Sequence, residues 1–214
     1  KSIRAVDATA GIVVAYGKPG EERIFKAYYS SCCGGKTQSA HDAFGDVYIP
    51  PLAEYDRGST CSISPRFQWP TVTIPKDELA RRIQAWAKRR SELNGTPRPE
   101  LKMQGVSRID LAYLNKLDRP VYFYVTDKKG NRFMMRAEDL RLAISFDAQK
   151  GPTVYSAFFT PVNGTDSISF TNGRGFGHGV GLCQWCAQRQ GQAGWRHEDI
   201  VLSAYPGAKL IRAY

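Results

Sequence analysis

The sequence predicts an α+β domain with a β-rich core. Runs of β-branched and aromatic residues, such as "IVVAY" and "PVYFYV", are bounded by turn residues and read as strands of hairpins. Helical periodicity is confined to a few separate stretches. Strands and helices are mixed without the regular alternation that builds a doubly wound parallel sheet.

The elements follow in order. Ile12–Tyr16 and a second strand from about Arg23 to Ser30 form a hairpin around the Gly17–Gly20 turn. "CCGGKTQSAHDAFGD" reads as a loop rich in small and polar residues, and the stretch with Pro50, Pro51, Pro65 and Pro70 as irregular. A longer basic helix over about 75–94 starts at Pro75, a residue suited to a first helical turn, with Asp77 and Glu78 complementing the positive helix end. Leu79, Ile83 and Trp86 share its apolar face; Arg81, Arg82, Lys88, Arg89 and Arg90 enrich the solvated remainder, and Asn94-Gly95 stops it. "VSRIDLAYL" alternates, with Ile109, Leu111 and Tyr113 on one face, and "PVYFYVTDKKGNRFMMRA" is a hairpin turning at Lys129-Gly130-Asn131. "AEDLRLAIS" is a short helix with Leu140 and Ile144 inward, "SISF" a strand, and "VGLCQWCAQRQ" and "EDIVLSAY" short helices.

The chain of 214 residues is 42% hydrophobic, long enough to bury a core, and carries a formal charge of +10. That charge fits a solvated surface or an acidic polymer partner. No nucleic-acid-binding signature accompanies it, so a nucleic-acid partner is not expected. No apolar run reaches the ~20 residues of a membrane span, and the opening "KSIRAVDATAG" lacks an apolar leader region. It reads as the middle of a protein. Five cysteines form an odd set, which a disulfide framework alone does not use up.

Two glycine motifs stand out. "GRGFGHG" (Gly173–Gly179) lies between a strand and a helix but lacks the lysine and hydroxyl residue of a phosphate loop. "SSCCGGKT" lacks the first glycine of that loop and a following helix pattern. Neither reads as a nucleotide site. Cys183 and Cys186 also match Cys-x-x-Cys, but a redox dithiol would want a thioredoxin-like setting that the rest of the chain does not supply.

Together, "AVDATAGIVVAYGKPGEERIFKAYYSSCCGGKTQSA" and the downstream "GRGFGHGVGLCQWCAQRQGQAGWRHEDIVLSAYPGAKLIRAY" resemble the SpoIID family, that of stage II sporulation protein D and the LytB amidase enhancers. The resemblance covers nearly the whole chain and implies a single SpoIID-like domain over 1–214, with 75–104 as a helical insertion. It implies work on peptidoglycan. Family enzymes are lytic transglycosylases that cleave peptide-free glycan strands with a glutamate as acid/base; other members stimulate a cell-wall amidase. The implied partners are glycan strands and such an amidase, and the implied location is extracytoplasmic, with any membrane anchor in a segment outside this chain. The positive charge suits muramic acid, which is anionic through its lactyl carboxylates. The family's catalytic glutamate lies in an upstream segment to which nothing here corresponds, so no catalytic acid is carried over. Glu21, Glu22, Glu54 and Glu138 read as surface or helix-start carboxylates.

By the same resemblance, the two glycine loops form one wall of a glycan groove, with Ser30, Ser31, Gly34, Gly35, Thr37, His178 and Gln184 as candidate binding residues. His178 reads equally as a loop strut. Cys33, Cys61 and Cys183 match cysteine-bearing segments of the family; with Cys186 as fourth ligand, or Cys32 or His41 in its place, they suit a structural zinc. A disulfide or buried free thiols are the alternatives. The glycines are expected to let the two loops pack backbone to backbone, with His178 toward the groove and Cys183 turned back toward Cys33 and Cys61.

Overall fold

Residues 2–148 and 151–213 are described by the structure, a computed structural model; the end residues of the expected 1–214 domain lie outside that range. The chain begins with a short helix, α1 (Ser2–Ala8). The "IVVAY" run follows as β1 (Ile12–Tyr16), paired antiparallel with β2 (Arg23–Ile24). The second hairpin strand is shorter than expected, because the backbone turns where Tyr28 N–H bonds the Lys26 carbonyl. Phe25 and Tyr28 pack edge-on against Tyr205 and stacked on Phe44, respectively. The chain resumes as β3 (Tyr29–Ser30).

The expected loop after it contains a helix, α2 (Ala40–Phe44). Ser39 caps it by accepting from Asp42 N–H, and Gly45 ends it in the left-handed region. The end of the proline-rich stretch is ordered as a strand, β4 (Gln68–Trp69), and β5 (Val72–Pro75) follows it. Pro75 then caps the long helix α3 (Lys76–Asn94), which Gly95 stops. The alternating run and the hairpin predicted downstream form one antiparallel sheet, β6 (Arg108–Leu114), β7 (Pro120–Thr126) and β8 (Arg132–Arg136), leading into α4 (Ala137–Ser145). β9 (Thr160–Asn163) and β10 (Ser167–Thr171) join β5 in a second sheet, with β10 in the centre. β11 (Gly173–Arg174) pairs with β4, and β12 (Leu182–Cys183) pairs in parallel with β3. The helices α5 (Gln184–Gln192) and α6 (His197–Ala204) follow, and β13 (Lys209–Arg212) returns to pair with β1. The mixture is α+β, as the pattern of the sequence predicts.

The main core gathers Leu79, Ile83 and Trp86 of α3, Leu140 and Ile144 of α4, Ile109 and Phe123 of the three-stranded sheet, and Ile168 and Phe170 of β10. Asn163 fastens the two sheets, accepting from Ile109 N–H at 2.8 Å and donating to the Ile109 carbonyl at 3.0 Å. Arg82 departs from the solvated face expected for it. It is 1% exposed and donates to Glu78, to the Ile144 carbonyl and to the Pro152 carbonyl. Position 82 falls three residues after Leu79 and one before Ile83, on the apolar stripe itself. Leu111 and Tyr113 are exposed, and the pairing of β6 with β7 breaks between them, so only Ile109 of that trio enters the core. A smaller core joins Ala40, Ala43, Leu52, Val180 and Tyr205 under the two glycine loops.

Candidate functional site

The glycine loops meet main chain to main chain. Cys32 and Phe176 exchange both backbone hydrogen bonds, at 3.0 and 2.7 Å, and Gln38 N–H donates to the Gly179 carbonyl at 2.9 Å. Such an approach leaves no room for side chains. A Cβ on Gly175 would stand 2.7 Å from the Cys32 carbonyl oxygen, and one on Gly34 would stand 2.9 Å from the Arg174 carbonyl carbon. Both glycines also have positive φ. The close packing expected of the two motifs is present.

A residue that the sequence does not single out ties these loops to the sheet. Arg119, at the start of β7, is 1% exposed. Its guanidinium donates to the carbonyls of Cys33 and Lys36, each at 2.8 Å, and of His178 at 3.2 Å. Gly179 makes this possible, since a Cβ there would come within 2.6 Å of the guanidinium. Burial lowers the pKa of Arg119 to about 10, which leaves it cationic at neutral pH.

Behind the loops lies a knot of cysteines. All five are buried, and no disulfide links any two of them. The sulfurs of Cys33, Cys61, Cys183 and Cys186 lie within 4.8 Å of one another, with Cys33 to Cys61 at 3.6 Å and Cys33 to Cys186 at 4.0 Å. Four thiolates at ~2.3 Å from a zinc would be separated by about 3.8 Å, the edge of the tetrahedron. Cys183 caps α5, its sulfur accepting from Cys33 N–H at 3.3 Å and Cys186 N–H at 3.5 Å. Donation from Cys186, and then from Cys32, Cys33 and Cys61, pulls the Cys183 thiol well below its usual range; donating to Cys183 pushes Cys186 and Cys32 upward. A thiolate set with backbone N–H donors fits a metal. Cys32 shares the cluster but is not one of the four. His41 stands apart, exposed on α2 with its Nδ1 against the Asp46 carbonyl.

The expected glycan residues divide. Gly34, Gly35, Ser30 and Ser31 line the loop junction; Ser30 is buried and pairs across to Cys183, and the Ser31 carbonyl accepts from Trp185 N–H. Thr37 is fully buried, with its hydroxyl engaged by both backbone groups of Tyr55. His178 accepts at Nδ1 from Val180 N–H at 3.0 Å, and its ring packs edge-on against Phe44 and Tyr28. Burial lowers its pKa. Gln184 is exposed on α5 and faces a shallow depression beside Ala187 and Gln188. Among the carboxylates, Glu138 is a helix-start residue in the first turn of α4, buried against Arg141; Glu22 pairs with Lys209 and Glu54 with Lys116.

The site consists of two apposed glycine loops over a cluster of four cysteine sulfurs. No family model matches the chain. It is similar to a protein named amidase enhancer from Bacillus subtilis (strain 168), with 22% identity over 232 residues, covering 97% of this chain and 32% of that protein. It is also similar to an uncharacterised protein of Brachyspira hyodysenteriae (strain ATCC 49526 / WA1), with 24% identity over 210 residues, 97% of this chain and 48% of that protein. The chain thus spans a third to about a half of the length of the curated relatives it matches. The similarity to an amidase enhancer agrees with the SpoIID resemblance carried by the two glycine motifs.

Proposed function

We propose that this chain is a peptidoglycan-directed domain of SpoIID type that binds glycan strands and supports the action of a cell-wall amidase. The observation that carries this reading is the similarity, along 97% of the chain, to a protein named amidase enhancer. The apposed glycine loops support it by bringing the two family motifs into contact. The domain is read as 1–214, with 75–104 as an added helical segment whose apolar stripe joins the core. Its place of action is outside the cytoplasm. No helix among the described residues is long and apolar enough to cross a membrane. A structural zinc held by Cys33, Cys61, Cys183 and Cys186 anchors the loops; it would supply cross-linking of distant segments.

The second reading is glycan cleavage by a lytic transglycosylase of which this chain is a part. The pairing of Glu22, Glu54 and Glu138 with cations favours binding over cleavage by the chain alone. Two measurements test the proposal. Co-sedimentation with peptide-free sacculi should retain the protein, more weakly as salt screens its +10 charge. Addition of the chain should accelerate a purified N-acetylmuramoyl-L-alanine amidase on intact sacculi. Release of 1,6-anhydro-disaccharides by the chain alone would shift the reading to cleavage.

A further inference from the structure

We propose that the cleft beside Arg174 and Lys36 is a subsite for a carboxylate-bearing sugar, the lactyl carboxylate of peptide-free muramic acid. This inference rests on the peptidoglycan reading and adds the residues that read the glycan's charge.

Arg174 is the point of departure. Its guanidinium lies 5.1 Å from the Phe67 ring centroid and 5.4 Å from that of Phe158. Its Nε is buried without a hydrogen-bond partner, and no carboxylate pairs with it among the described residues. Arg82, Arg108 and Arg141, by contrast, pair with Glu78, Asp110 and Glu138, while Arg57 and Arg90 share with Arg174 a buried Nε without a partner. A guanidinium held by two rings and lacking an anion is pre-organised to take a carboxylate through its planar fork. Gly35 leaves it space, since a Cβ there would come within 3.0 Å of Nη2.

The surroundings match a sugar. A cleft of about 320 Å³ is lined by the apolar Leu111, Leu114 and Phe158 and by the polar Lys36, Asp118, Asn172 and Arg174. That lies at the small end of ligand pockets, about 300–1,000 Å³, and suits one substituted pyranose whose apolar face rests on the apolar lining. Leu111 and Leu114 are 44% and 47% exposed, apolar surface with no covering element. Lys36 bonds Asp118 at 3.3 Å, but Asp118 is largely solvent-exposed, so the ammonium can turn to a ligand. A second depression, of about 470 Å³, shares Asn172 and Arg174 with the first. Arg174 therefore stands between two adjoining hollows, the arrangement a polymer of sugars needs.

The test compares a peptide-free tetrasaccharide of alternating N-acetylglucosamine and N-acetylmuramic acid with chitotetraose, by calorimetry at low salt. The chain should bind the muramic-acid oligomer about tenfold tighter, the scale of one charge-assisted contact. Arg174→Gln should abolish that preference, leaving both ligands equal; Arg174→Lys should keep part of it. If Arg174→Gln fails to fold, Leu114→Ser in the exposed apolar lining serves instead and should weaken both ligands about fivefold. Retention of the full preference by a folded Arg174→Gln, or of full affinity by Leu114→Ser, overturns the subsite while leaving sacculus binding intact. Tighter binding of a single-stranded oligonucleotide that displaces the tetrasaccharide overturns it too. No binding of the wild-type chain to either oligomer or to sacculi removes both the subsite and the peptidoglycan reading.

Discussion

Arg119 and Cys33 are joined by a 2.8 Å hydrogen bond from a buried guanidinium to a backbone carbonyl, and the same guanidinium reaches the His178 carbonyl on the opposite loop. One cation thus holds two segments about 145 residues apart (178 − 33 = 145) through their main chains. The link runs through carbonyl positions, and it needs Gly179 without a side chain, since a Cβ there would come within 2.6 Å of the guanidinium.

Replacing Arg119 with Met should therefore destabilise the fold strongly. It strands the Cys33, Lys36 and His178 carbonyls in a buried setting. At ~1–3 kcal/mol for each buried group left unpaired, the expected loss is about 3–5 kcal/mol by chemical denaturation. Arg119→Lys should recover only part, because an ammonium lacks the planar fork. A loss below ~0.5 kcal/mol for the Met variant would place the link elsewhere.

The glycines of the junction should be less tolerant of alanine than a glycine in a solvent-facing turn. A Cβ at Gly181 would stand 2.2 Å from the Tyr28 carbonyl oxygen and at Gly179 2.6 Å from Arg119, whereas Gly130, also at positive φ, would meet nothing within 4 Å. Gly130→Ala should cost about 1–2 kcal/mol, the left-handed backbone penalty alone. Gly179→Ala and Gly181→Ala should each cost clearly more and lower the thermal midpoint further. Equal costs at the three positions would remove the close-packing account.

Much of this was legible in the residues. "GRGFGHG" and "SSCCGGKT" marked the loops that meet, and the spacing of Cys183 and Cys186 at a helix start marked part of the cysteine cluster. Helix α3 was readable from its apolar stripe and its Asn94-Gly95 stop, yet the same spacing rule placed Arg82 inside and its charge concealed that. Ser39 and Gly45 were visible cap signals for α2, overlooked within a polar run. Arg119 had no such signal: a lone arginine before a strand becomes a strut only when distant carbonyls converge on it. Arg174 lay inside a quoted motif, but its missing partner is a property of the folded surface. Strands of two residues, such as β3 and β12, are specified by tertiary pairing and leave no periodic trace.

His178 should confer a pH dependence. Burial lowers its pKa below the ordinary 6.5, so the folded state resists a proton that the unfolded chain accepts. Stability should then fall as pH drops from about 6.5 through the lowered folded value, since the unfolded state binds more protons there. His178→Gln should flatten that part of the profile relative to wild type in the same buffer. It should also lose some stability at pH 8, where the contact with Val180 N–H and the Phe44 packing are altered. Identical slopes between pH 7 and 5 would show that the histidine does not titrate differently on folding.

The cysteine cluster gives the sharpest expected outcome. If the four sulfurs hold zinc, elemental analysis of protein purified without chelator should find about one zinc per chain. Cys183→Ser should lose the metal, because Cys183 is both a member of the four and the cap of α5. It should also lower the thermal midpoint by roughly 10 °C or more, since metal binding and folding share one free energy. Cys32→Ser is the informative control: Cys32 is equally buried but outside the four, so the metal should stay. Acidification should release the ion as protons compete for the thiolates, while added zinc should restore the midpoint near neutral pH. Protein with no metal and two fewer free thiols under denaturing conditions would assign the cluster to a disulfide. Retention of one zinc by Cys183→Ser but not by Cys32→Ser would exchange the roles of those two residues.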